Sequence, residues 1–61
     1  MKELDIVELT QPFNELSIAT KGTIVAEHDG KMFEVEFFDD KNETIGVFTT
    51  PKDVLKLLHE F

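Results

Sequence analysis

The chain has 61 residues, with thirteen acids against six lysines, no arginine, no cysteine and a formal net charge of −7. A chain this short forms one domain at most, buries only about 60% of the surface its unfolded form exposes, and here has neither a disulfide nor a thiolate zinc site to staple it. The charge repels a phosphate backbone and argues against nucleic acid as a partner, and no apolar run approaches the roughly 20 residues of a membrane span.

The first ten residues, MKELDIVELT, carry acids where a secretion leader needs a basic start and an apolar stretch, so the expectation is a soluble, cytoplasmic chain with no membrane contact. An acidic surface suits a basic protein partner, and it also serves solubility alone. Asp5 to Leu9 is a short β-capable run in which Asp5, Val7 and Leu9 share one face and Ile6 and Glu8 the other. Thr10 to Lys21 has no clear period. It reads as a long Ω-type or functional loop, with Phe13, Leu16 and Ile18 available to plug the core.

Gly22 opens a second strand, Thr23 to Glu27, and Asp29-Gly30 is a two-residue hairpin signal of the type I′ class. With His28 opposite Lys31, Ala26 opposes Phe33 and Ile24 opposes Val35 on an apolar face, while Val25 opposes Glu34 and Glu27 opposes Met32 on the other. The third strand, Met32 to Phe38, alternates Phe33, Val35 and Phe37 with Glu34 and Glu36. Asp39 to Glu43 is a polar turn, and Thr44 to Thr49 pairs back. Placing Phe38 against Thr44 sets Phe37 by Ile45 and Val35 by Val47. The expected core is then Ile24, Ala26, Phe33, Val35, Phe37, Ile45 and Val47. The opposite face holds Val25, Met32, Phe38 and Phe48 beside Glu34, Glu36 and Gly46, and something should cover so much apolar surface.

For the C-terminus the favoured reading is a helix: Thr50 as N-cap, Pro51 at the first position, Asp53 near the positive end, and Val54, Leu57, Leu58 and Phe61 in one stripe. The competing reading is a single helical turn at Pro51–Asp53 followed by a last strand, Val54 to Leu58, that closes a barrel. The expectation is one domain over residues 1–61, mainly β: a small antiparallel barrel or meander of four to five strands with a short C-terminal helical segment.

The order LDIVELT, KGTIVAEHDGKMFEVEF, ETIGVFT and a short tail resembles a family of short bacterial proteins carrying a domain of unknown function with an SH3-like small-barrel fold. The matching residues are Leu4, Asp5, Val7, Leu9, Thr10, Gly22 to Val25, Phe33 to Phe37, Thr44, Ile45, Val47 and Thr49. The chain departs in lacking a further glycine before Gly22, where it has Ser17 to Lys21, and in ending on a helix-like stripe where the family ends on a short strand. The resemblance implies a fold and carries over no catalytic residue. Similar small barrels, such as that of the nitrile hydratase β-subunit, sit beside a larger partner, an analogy at the level of fold.

No constellation of residues indicates catalysis or a cofactor. His28 with Glu27 and Asp29 rounds a tight turn, where three neighbours do not converge on a metal. His59 suits the last turn of a helix, and Ser17, the one serine, has no histidine or acid at a triad spacing. Asp39 to Glu43 lacks the ligand spacing and the central glycine of a calcium loop. Glu34 and Glu36 follow from strand alternation, and Asn42-Glu43-Thr44 is a glycosylation sequon without meaning in the cytoplasm. The absence of tyrosine and tryptophan argues against a proline-peptide groove. What stands is a protein-binding module without enzymatic activity, in which Val25, Met32, Phe38 and Phe48 meet a larger, basic protein and Glu34 and Glu36 steer it. The partner would be neutralised in the manner of an antitoxin or immunity pair. The alternative is a self-assembling structural module.

Overall fold

A computed structural model describes all residues, 1–61, as five antiparallel strands in one sheet. The strands are β1 (Ile6–Leu9), β2 (Lys21–Glu27), β3 (Met32–Phe38), β4 (Thr44–Pro51) and β5 (Leu55–His59), in the order β4-β3-β2-β1-β5. A 3₁₀ turn over Lys52–Val54 links β4 to β5, which lie at opposite edges of the sheet. Four inter-strand gaps span about 19 Å when flat, whereas a three-residue link bridges roughly 14 Å at full stretch. The sheet therefore bends strongly, although its two edge strands do not pair.

The C-terminal helix is the first correction. Residues 55–59 form a strand that pairs with β1, placing Leu55 opposite Leu9 and Leu57 opposite Val7. The helical stripe lost because pairing with β1 supplies the backbone partners and the apolar neighbours that an isolated stripe lacks. The 3₁₀ turn and the short final strand of the competing reading are both present, without closure.

The second correction is register. In β2, Ile24 opposes Val35 as expected, but a bulge follows: Val25 and Ala26 together meet Glu34, and Glu27 meets Phe33. The turn is correspondingly longer. His28 N–H donates to the Met32 carbonyl at 2.9 Å, Lys31 N–H to Asp29 Oδ1 at 3.2 Å and Gly30 N–H to the His28 carbonyl, with Gly30 at φ +81°. In β4, Phe38 opposes Thr44 as expected, but Ile45 is an extra residue, so Phe37 meets Gly46 and Val35 meets Phe48. One inserted residue turns every later side chain to the other face.

The core consequently keeps Ile24, Phe33, Val35 and Phe37, and gains Val7, Leu9, Val54 and Leu55. Ile45 and Val47 are 45% and 51% exposed, and Ala26 is only half-buried, so these three leave the expected core. Phe48 takes the vacated place, its ring centroid 6.2 Å from that of Phe37. Gly46 makes room: a Cβ there would stand 3.0 Å from the Phe48 ring.

Two loops are built from local bonds. In the segment before β2, Phe13 and Leu16 exchange backbone bonds of 3.0 and 2.8 Å around Asn14 and Glu15, both at positive φ as a type I′ turn requires. Phe13 and Leu16 pack against the core as expected, whereas Ile18 is 60% exposed. Asp39 Oδ1 accepts the N–H groups of Lys41 at 2.9 Å and Glu43 at 3.0 Å, which occupies that carboxylate in holding the turn.

Asp5 is buried on the core face beside Val7, as alternation predicts. Its carboxylate accepts the N–H of Phe61 at 2.9 Å, the N–H of Lys2 at 3.0 Å and the Lys2 ammonium at 3.1 Å. The Phe61 bond is the main reason its pKa lies below the ordinary carboxylate range; Lys2 adds to this, and burial opposes it.

Candidate protein-binding face

The face opposite the core is a two-dimensional array set by cross-strand pairing. One row runs Val47, Glu36, Thr23, Ile6 and His59 from β4 to β5. A second runs Thr44, Phe38, Lys21, Glu8 and Lys56, so charges of alternating sign sit side by side on β2, β1 and β5. A third holds Thr49, Glu34 and the bulged pair Val25 and Ala26, and Met32 lies opposite Pro51 beyond it.

Of the residues expected on this face, Met32, Glu34, Glu36 and Phe38 are there and half-buried, and Val25 lies at the bulge, 40% exposed. Phe48 is not among them. It packs against the core, and Val47, expected inside, stands outside in its stead. The face is thus less aromatic than alternation alone implies, with Phe38 its one phenylalanine.

The two glutamates are held rather than free. Thr49 Oγ1 donates to Glu34 Oε2 at 2.7 Å and Thr44 Oγ1 to Glu36 Oε2 at 2.9 Å. His28 Nε2 lies 2.8 Å from the same Glu34 oxygen, so this turn histidine is engaged with the sheet and not merely solvated. The Thr49 hydroxyl, then His28, lowers the Glu34 pKa against the opposing effect of partial burial. The sequence marked His28 only as a turn residue and Thr44 and Thr49 only as strand residues, and tied none of them to the glutamates. Their role depends on the register of β4 and on the length of the β2–β3 turn, and both are shifted by the bulges.

The arrangement presents two oriented carboxylates two residues apart on β3, flanked by exposed Val25 and Val47. The surface forms no enclosed cavity, no three acids or histidines cluster as metal ligands would, and no helix is long and apolar enough to cross a membrane. Chemically, the face can accept hydrogen bonds and attract cations beside apolar contact.

No curated protein and no solved structure matches the chain. A family model does match, over residues 3–57, and the chain belongs to the family described as Domain of unknown function (DUF4926).

Proposed function

We propose that this chain is a protein-binding module without enzymatic activity, docking a larger basic protein against the outer sheet face as an accessory or neutralising partner. The observation that carries this reading is the pair Glu34 and Glu36, each carboxylate oriented by a threonine hydroxyl from β4 and bordered by apolar side chains. Oriented carboxylates lose less freedom when they meet a lysine or arginine, and a body at −7 accelerates encounter with a basic partner. Apolar neighbours supply the burial that charge alone does not. The setting in this reading is the bacterial cytoplasm, and the bent five-stranded sheet with its 3₁₀ turn before the last strand supports an SH3-like barrel as the finer fold.

The test begins by capturing partners from the native host and identifying them. Binding of the purified partner to wild type and to the double variant E34K/E36K is then measured by calorimetry at two salt concentrations. The expected result is a loss of at least about tenfold in affinity, as for opposing charges brought face to face. Equal affinity for both proteins overturns the reading.

A further inference from the structure

The two edges of the sheet are unequal. β5 has five residues, carries Lys56 as its second residue and is bulged at Leu58, all devices that discourage pairing with another chain. β4 has eight residues, Thr44–Pro51, without a single charge, and proline stands only at its end. Its outward backbone groups have no main-chain partner in the chain: the bonds outside the strand ladders include none donated or accepted by the main chain of residues 44–51. Ile45 and Val47 lie exposed along it. An edge of this kind is a template for another strand.

The ends of β4 indicate which strand. The loop before it carries Asp39, Asp40 and Glu43 against Lys41. After it comes Lys52, whose N–H donates to the Lys31 carbonyl at 2.8 Å, so two lysine backbones lie together there, with Asp53 beyond. Neither Glu43 nor Lys52 is in an ion pair within the chain. A two-fold antiparallel pairing of β4 with its copy, centred on Val47, brings Val47 against its counterpart. The same pairing sets Glu43 opposite Pro51, next to Lys52 of the other copy, twice by symmetry.

We infer that β4 is a self-pairing strand and that this chain forms a two-fold dimer with a sheet continuous across β4 and β4 of the second copy. The occupant is the same chain because a second copy carries the complement in register: acid at one end, lysine at the other, and a charge-free apolar strand between. This inference does not rest on the outer-face reading, which uses β3 carboxylates one strand in from the edge.

The experiment is sedimentation equilibrium over a wide concentration range, with circular dichroism as the check on folding. Wild type is expected to show a concentration-dependent monomer–dimer equilibrium, and the outward-facing amides within residues 44–50 are expected to gain hydrogen-exchange protection as concentration rises. V47K places a lysine on the exposed face of the edge and is expected to abolish dimerisation while the monomer stays folded. E43K and K52E are each expected to weaken the dimer about fivefold, and the double swap E43K/K52E to restore it. E43K is decisive because it makes the chain less negative, so a dimer opposed only by net charge would tighten. A wild type that stays monomeric at millimolar concentration, a dimer indifferent to V47K, or a dimer tightened by E43K overturns the inference. Monomeric behaviour would leave the edge to an extended segment of a different protein.

Discussion

The Asp5 carboxylate accepts the main-chain N–H of Phe61 at 2.9 Å, joining residues 56 apart and binding the segment after β5 to the entrance of β1. The same carboxylate takes the N–H and the ammonium of Lys2, so both extremities of the chain converge on one buried acid. In a domain without disulfides this clasp does what a staple does elsewhere: it ties down segments that otherwise fray.

This clasp predicts a pH dependence. Asp5 and Glu34 both have pKa values lowered by folding, so just below the ordinary carboxylate range the unfolded chain binds more protons than the folded one. Their stabilisation is complete above the unfolded pKa values and is lost as pH falls through the folded ones. Chemical denaturation at a series of pH values should show stability dropping on the acid side. Asp5→Asn, which keeps the shape but not the charge, should flatten that limb and lower stability at neutral pH. An unchanged acid limb in this variant would mean that the clasp is not ionic.

The hydroxyl on β4 that holds Glu34 gives a second prediction. Thr49→Val is nearly isosteric and removes the donor at 2.7 Å, the main cause of the lowered Glu34 pKa. Carboxyl carbon shifts followed by NMR should show Glu34 titrating at higher pH in the variant than in wild type. His28→Ala should shift Glu34 the same way and by less, since the Thr49 bond is the larger cause.

Gly22 sits in β2 where the core is tightest. A Cβ there would meet Val35 Cγ1 at 2.6 Å, the Glu36 carbonyl oxygen at 2.9 Å and the Phe37 ring at 3.0 Å. One of these contacts is backbone, so the strand itself must move. Gly22→Ala should therefore destabilise by about 1–3 kcal/mol, which lowers the melting midpoint of a domain of this size by roughly 5–20 °C. A Cβ at Gly30 would meet only Glu27 Oε2, at an ordinary 3.9 Å, but the residue sits at φ +81°, so the cost of Gly30→Ala is backbone strain at the turn and leaves the core intact.

Much of the sheet was legible because it rests on local rules. The alternation of Phe33, Val35 and Phe37, the polar turn at Asp39–Glu43 and the placement of Asp5 beside Val7 and Leu9 all follow from a period of two. The bulges at Val25 and Ile45 were not legible, since neither residue is a glycine or otherwise marks an extra position. Their consequences are specific: Val47 and Phe48 exchange faces, and Thr49 comes to lie over Glu34. The helix-like stripe of Val54, Leu57, Leu58 and Phe61 yielded to a strand because the partner that decides it, β1, lies some fifty residues away. Alternation placed Glu34 and Glu36 opposite the core, whereas Phe48, Val47 and the hydroxyl and imidazole partners of the glutamates depended on register.

That exchange of faces supplies the last prediction. Were β4 unbulged, Val47 would be core and Phe48 solvent-facing. With Ile45 inserted, Phe48 packs against Phe37 and Val47 is 51% exposed. The two register choices therefore assign opposite costs to neighbouring substitutions. Phe48→Ala should cost about 1–3 kcal/mol, less than the roughly 3–5 kcal/mol of a fully buried phenylalanine because the ring is only half-buried. Val47→Thr should fall within about 0.5 kcal/mol of wild type, as exposed substitutions do. Urea denaturation of both variants at low concentration, where self-association plays no part, measures the two costs together. The unbulged register reverses their order, so a Val47→Thr protein weaker than Phe48→Ala would place the core on the other side of β4.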